Sequence, residues 1–345
     1  MRSPLPQRSP QPPPSSDSLH GLSAVVTGGS RGLGLLLADE LLRRGCRVTL
    51  AARDEAELRQ ARGLLHERHP GGSVRTTVTD VRDRKDVAEL FRLTAAEYGT
   101  VDLVIANAGT IQVAPAEAAG PTGFDDAMST IFNGALHTSL EALPHLRESR
   151  AGGRLALIGS VGGLLAVPHL LPYSCAKAAV RALAEGLYAE AAHDGVSVTA
   201  VHPGLMRTGS HLHAVFGGDQ RREFAWFSAL AGTPLVSMDA RRAADRIVTA
   251  VQRRRIRLVL TPTARAADIA HGLAPALTAR LSHAAAAWLP SAEDDPELRP
   301  GIDIEPATPR TLGERLRSVG SALNDRAARA YNQRHRTAQE QHQHS

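Results

Sequence analysis

The chain has 345 residues, of which 43% are hydrophobic, 22% charged and only 3% aromatic, the profile of a globular protein rather than a fibre or a disordered chain. Its formal charge of +5 is carried by the ends: residues 309–345 hold seven arginines against three acids, and residues 1–20 hold Arg2 and Arg8 against Asp17. A nucleic-acid-binding fold carries its basic stripe on the folded body, with aromatic residues interleaved, so no nucleic-acid partner is expected. Two cysteines without paired spacing, Cys46 and Cys175, argue against a disulfide framework and a zinc site. With no apolar signal segment near the N-terminus, they point to the cytoplasm. The longest uncharged stretch, Leu155 to Ala176, contains Gly159, Gly162, Gly163, Pro168 and Pro172. It reads as a buried strand plus loop, so no transmembrane segment is expected.

In chain order, residues 1–18 are dominated by Pro and Ser and read as a disordered tail. Short aliphatic runs follow at Ala24–Val26, Arg47–Ala51, Val74–Thr79, Leu103–Ala106, Arg154–Ile158, Val196–Val201 and Ile256–Leu260. Between them lie segments of helical period near 33–44, 54–68, 84–98, 123–149, 173–193 and 239–253. Strand and helix alternating in this way predict an α/β fold, a doubly wound parallel (Rossmann) sheet of about seven strands over residues 19–262. The alternation is interrupted at 204–236, the expected substrate lid. A helical C-terminal extension is expected over 263–310, and a basic, disordered tail over 311–345.

The first strand runs into Thr27-Gly28-Gly29-Ser30-Arg31-Gly32-Leu33-Gly34 and then directly into a helix. Glycines at such a turn let a pyrophosphate approach the free N–H groups of the helix N-terminus. The second strand ends in Ala52-Arg53, whereas an NAD site usually places an acid near this point. Arg53 and Arg31 are suited to clamp a 2′-phosphate, so NADP(H) is expected over NAD(H). Asp80-Val81 closes the third strand, either holding the adenine amino group or serving as a turn. Asn107-Ala108-Gly109 follows the fourth strand and would keep the backbone close to the cofactor.

Tyr173 and Lys177 stand one helical turn apart. A cation at roughly 5 Å in an effective dielectric of about 20 contributes about 3 kcal/mol, or about two pKa units, toward ionising the tyrosine, so Lys177 is expected to lower the Tyr173 pKa. Ser160, thirteen residues before Tyr173, ends the fifth strand, and Asn133 lies in the helix before that strand.

These motifs together resemble a short-chain dehydrogenase/reductase of the TGxxxGxG and YxxxK branch over residues 20–260. The resemblance implies a catalytic tetrad of Asn133, Ser160, Tyr173 and Lys177, with Pro203, Gly204 and Thr208 on the nicotinamide side. One departure is that Ala106 stands where the family usually has a first asparagine. His169, His193 and His202 have no role in this pattern, and no metal is expected.

Phe216, Phe224, Trp226 and Phe227 fall within the expected lid. They predict either a bulky apolar carbonyl or alcohol substrate, or simple anchoring of the lid to the core. Residues 264–289 read as one amphipathic helix carrying Ile269, Leu273, Leu277, Leu281 and Trp288. Such a helix would pack on the lid, form the interface of a homo-oligomer, or make a peripheral membrane contact. The leading expectation is an NADP(H)-dependent oxidoreductase interconverting a ketone and a secondary alcohol. The alternative is an NADP(H)-binding redox-sensing regulatory protein with little turnover.

Overall fold

The computed structural model describes residues 18–233, 237–290, 298–304 and 324–333. The expected N-terminal tail therefore lies almost wholly outside the described residues, as do the last three residues of the expected lid. The first half of the chain runs β1 (Ser23–Thr27), α1 (Gly32–Arg43), β2 (Arg47–Ala52), α2 (Glu55–Arg68), β3 (Val74–Val78), α3 (Arg84–Tyr98) and β4 (Leu103–Ala106). It continues through β5 (Gln112–Val113), α4 (Ala116–Ala127), a π-helical segment over Met128–Asn133, α5 (Gly134–Glu148), β6 (Arg154–Ile158) and α6 (Leu171–Ala191). Then come β7 (Ser197–His202), β8 (Met206–Arg207), β9 (Val215–Phe216), α7 (Gln220–Gly232), β10 (Met238–Asp239), α8 (Ala240–Gln252), β11 (Arg257–Val259), α9 (Pro262–Leu273) and α10 (Pro275–Ala286).

The central sheet has seven strands in the order β11-β7-β6-β4-β1-β2-β3, all paired in parallel. This is the doubly wound sheet the alternation predicts. Apart from the edge strands β3 and β11, its strands are buried on both faces, which is why they read as largely apolar runs rather than alternating ones. One face is covered by α1 and α8 through Leu35, Leu37, Leu41, Ala244, Ile247 and Val248. The other is covered by α3, α5 and α6 through Leu90, Phe91, Leu143, Val180 and Leu187. Each such fully buried aliphatic contributes about 1.5–3 kcal/mol. Two short accessory sheets, β8 with β10 and β5 with β9 and Arg299–Pro300, hold the lid region above the carboxyl ends of the strands.

The long helical reading of 264–289 resolves into two helices. Pro275, at the N-terminus of α10, cannot donate the backbone hydrogen bond that would continue α9.

Residues 324–333 differ from the disordered tail expected there. They form a helix over 324–330 and end against the glycine-rich turn after β1. Asn324 Oδ1 accepts from the Gly209 N–H, and its Nδ2 donates to His211 Nδ1, both at 2.8 Å. The Gly32 N–H donates to the Tyr331 carbonyl at 2.9 Å, and Asn332 Nδ2 donates to the Ser30 carbonyl at 2.9 Å. Ala327, Ala328 and Tyr331 are buried by this docking. The segment is a strap. A protein ending at residue 323 should lose about 2–3 kcal/mol from the Tyr331 burial and the lost hydrogen bonds, lowering the calorimetric Tm by roughly 3–5 °C. A disordered tail would leave Tm unchanged.

Candidate active site

Strand order reverses between β1 and β4, which are neighbours in the sheet although β2 and β3 separate them in sequence. A crevice opens at the carboxyl ends of strands at such a point. Asn107, just past β4, closes its floor: the side-chain Nδ2 donates to the carbonyls of Thr27 and Gly28 at 3.0 and 3.1 Å. Thr27 Oγ1 accepts in return from the backbone N–H groups of Asn107 and Ala108. Asn107, Ala108 and Thr27 thus lock the two strands together.

The turn after β1 is shaped for close backbone approach. Gly28 has φ +63°, and a Cβ there would stand 2.8 Å from Ala108 Cα. A Cβ on Gly34 would meet the Gly28 carbonyl oxygen at 1.9 Å. Gly32, Leu33 and Gly34 open α1, so their N–H groups have no intrahelical acceptor. An anionic diphosphate fits these donors, and a dinucleotide cofactor fits the turn. The strap shares this ground: the Tyr331 carbonyl takes the Gly32 N–H, and Gln333 Nε2 lies 2.5 Å from where a Gly32 Cβ would be, on the side that faces Thr208.

The charged residues around the turn divide unequally. Glu57, only 4% exposed, accepts from Ser30 Oγ and pairs with Arg31. The Arg31 charge is therefore largely answered within the protein. Arg53 is exposed beyond β2, and its charge reaches Asp80. Burial pushes the Asp80 carboxyl up, but its hydrogen bonds with Arg82 outweigh this and hold it below the usual carboxylate range. Asp80 is gripped by Arg82 at 2.6–3.0 Å through both oxygens. Val81 is buried against Gly134.

Ser160 lies two residues past β6 and accepts from the Gly162 N–H. Tyr173 and Lys177 lie in the first two turns of α6, and a Cβ on Gly162 would stand 3.3 Å from the Tyr173 ring. Lys177 is 5% exposed. Its Nζ donates to the Ile158 carbonyl at 2.7 Å and lies 5.7 Å from the centre of the Tyr173 ring. It also stands 3.7 Å from where a Gly109 Cβ would be, so the ammonium joins the tyrosine to the Asn107-Ala108-Gly109 turn. Burial dominates the titration of both groups. It lowers the Lys177 pKa to about 8, and it raises that of Tyr173, against a smaller opposing effect from a hydrogen bond with Ser160. This differs from the expectation of a lowered tyrosine, because desolvation disfavours the phenolate more than the Ser160 contact favours it.

Asn133 closes the π-helical segment between α4 and α5, which packs on α6; such bulges recur at functional sites. The Pro203 carbonyl accepts from the Val161 N–H beside Ser160. Gly204 leaves room for Thr261, whose Oγ1 would lie 2.7 Å from a Cβ there. Thr208 is buried at 5% exposure below the strap.

The lid holds a further group that no motif announced. Glu223 is fully buried and accepts from His169 Nδ1 and Trp226 Nε1, each at 2.6 Å. His169 adopts φ +61°, unusual for a non-glycine residue. Phe216, Phe224 and Phe227 form an edge-to-face core under the lid, which is the anchoring alternative for these three rings. Trp226 alone is partly exposed.

Comparison with known proteins agrees with this architecture. Residues 23–214 match the family of short chain dehydrogenases. An uncharacterized oxidoreductase of Staphylococcus saprophyticus is 32% identical over 186 residues, covering 54% of this chain and 78% of that protein. A chloroplastic tropinone reductase homolog of Arabidopsis thaliana is 34% identical over 192 residues, covering 55% of this chain and 59% of its own length. Among solved structures, levodione reductase superposes with a TM-score of 0.61 at 23% identity, covering 70% of this chain and 95% of that one, a likeness of fold. With the parallel sheet, the glycine turn and the Ser160, Tyr173 and Lys177 cluster already in place, the match over more than half its length assigns the chain to the short-chain dehydrogenase family of NAD(P)(H)-binding oxidoreductases.

Proposed function

We propose that the protein is an NADP(H)-dependent oxidoreductase interconverting a ketone and a secondary alcohol. The observation that carries this reading is the buried Lys177 ammonium, fixed on the Ile158 carbonyl and set between the Tyr173 ring and Gly109. A buried, desolvated lysine costs stability, and the arrangement is explained if that lysine serves chemistry at this point.

The residues divide the work as follows. The N–H groups opening α1, the Asn107-Ala108-Gly109 turn and Asp80 with Val81 would line the cofactor from its diphosphate to its adenine. Pro203, Gly204 and Thr208 would lie on its nicotinamide side. Bound there, the nicotinamide supplies or accepts a hydride. The Ser160 hydroxyl holds the substrate oxygen, and the Tyr173 hydroxyl gives that oxygen a proton as the alcohol forms. Burial keeps Tyr173 in its protonated form, the form a reductase needs. Lys177 stabilises the phenolate left after transfer and holds the nicotinamide ribose. Asn133 holds a water that relays protons from Lys177 toward solvent. Trp226, the partly exposed ring of the lid, would contact a bulky apolar substrate.

The NADP(H) preference rests mainly on Arg53, since Arg31 already pairs with Glu57. Arg53→Asp should weaken NADPH binding about tenfold or more while NADH is little affected, because an attractive charge at the 2′-phosphate becomes repulsive. Equal losses for both cofactors in fluorescence titrations would remove Arg53 from the site.

Tyr173→Phe removes one hydroxyl and keeps the ring, so fold and cofactor binding should survive. Turnover should fall by about a hundred- to ten-thousandfold, the usual worth of a positioned acid. A rate above about a tenth of wild type would show that the proton comes from elsewhere.

A further inference from the structure

The helical hairpin α9–α10 is nearly unburied. Ala264 is the single buried residue of α9, and α10 has none. The five most exposed large apolar side chains among the described residues are all here: Ile269 at 61%, Leu273 at 82%, Leu277 at 57%, Leu281 at 61% and Trp288 at 90%. An apolar surface of this kind marks a docking site. It is not directed at the body of the protein. The inner side of the hairpin meets the loop before α6 and the start of that helix across a cavity of about 300 Å³, where Leu165, Pro168 and Leu171 face Ala279, Ser282 and Ala286. The hairpin still has a defined shape, since His271 Nδ1 and Thr278 Oγ1 join the two helices at 2.8 Å.

Cationic side chains accompany the exposed leucines. Arg265, Ile269 and Leu273 are spaced by four residues and share one face of α9, while Arg280 lies beside Leu277 and Leu281 on α10. At the foot of α9, Arg265 belongs to a cluster with Arg242, Arg246 and Arg255. The guanidinium of Arg246 is pushed below its usual value by burial and then by these three neighbours. None of the four pairs with a carboxylate among the described residues, whereas the nearby Arg257 is matched by Asp268. The hairpin itself, residues 262–289, adds Arg265 and Arg280 against Asp268, whose charge Arg257 matches. A second copy of the chain, related by a two-fold axis, would set this positive face against itself. Neither helix is long and apolar enough to cross a membrane. Exposed leucines and a tryptophan flanked by arginines that have no carboxylate partner among the described residues match an anionic lipid interface.

We propose that the α9–α10 hairpin binds the surface of an anionic membrane, with Leu273, Leu277, Leu281 and Trp288 entering the interface and Arg265, Arg280 and the cluster at the foot of α9 meeting the headgroups. This inference is independent of the catalytic reading.

Co-sedimentation of the full chain with unilamellar vesicles tests it, using phosphatidylcholine alone or a 70:30 mixture with phosphatidylglycerol. The protein should pellet with the anionic vesicles, bind neutral ones at least about tenfold less, and be released progressively between 0.1 and 0.5 M salt. Leu273→Glu with Leu277→Glu should abolish binding without changing the thermal melt, since both side chains are exposed. Trp288→Ala, a milder change, should weaken binding severalfold and serves if the double variant does not fold. Arg265→Glu with Arg280→Glu should remove the preference for anionic lipid. Wild-type protein left in the supernatant with both vesicles overturns the proposal, as does equal binding by the leucine variants. A dimer that Leu273→Glu with Leu277→Glu dissociates, in a protein that ignores vesicles, would make the occupant a second copy and overturn it equally.

Discussion

One carboxamide joins the halves of the sheet where the chain's topology leaves a gap. Asn107 bonds the carbonyls of Thr27 and Gly28, and so fixes the end of β4 against the turn after β1. Beside the ladder itself, the Thr27 hydroxyl is the other tie here, accepting from the Asn107 and Ala108 N–H groups. With both, the glycine turn, the N-terminus of α1 and the Gly109 backbone form one rigid rim, and the buried Lys177 abuts that rim. Precise placement of this kind is what positioned catalysis requires, because small misplacements cost large factors in rate.

The second constraint is desolvation. Lys177 is buried and Tyr173 half-buried, and desolvation moves their pKa values in opposite directions, the lysine down to about 8 and the tyrosine up. Each change favours the uncharged form, but at about 8 Lys177 still carries its charge near neutral pH while Tyr173 keeps its proton. The strap adds another element at the same rim, since it already uses the Gly32 N–H. Its polar side chains bring acceptor oxygens, Asn332 Oδ1 and Gln333 Oε1, that are buried without partners among the described residues.

Much of this was legible in the sequence. The seven runs mark the seven strands because a sheet covered on both faces favours aliphatic and β-branched residues. The glycine turn and the Tyr173, Lys177 spacing are local patterns, readable because their geometry is fixed within one turn. What escaped is held by contacts distant in sequence: Asn332 with Ser30, 302 residues away, His169 with Glu223, 54 away, and Arg31 with Glu57, 26 away. No periodicity encodes such pairs. Glu57 in particular changes the meaning of Arg31 from a free cation to a paired one. The break between α9 and α10 had a local signal in Pro275, but the leucine spacing runs through it and masks the turn. The aromatic lid could not be divided by composition alone into three buried anchors and one partly exposed ring.

The central claim is that the cluster of Ser160, Tyr173 and Lys177 completes a hydride transfer between NADP(H) and a carbonyl. It is tested most directly with NADPH deuterated at nicotinamide C4, incubated with the full chain and a panel of aliphatic, steroid-like, quinone and acyl-thioester ketones. The account predicts that at least one ketone returns as an alcohol carrying a single deuterium on its carbinol carbon, with NADPH consumed in equal amount. NADPH that binds tightly yet is never oxidised across the panel, with no label in any alcohol, would contradict it and make the protein a cofactor-binding regulator.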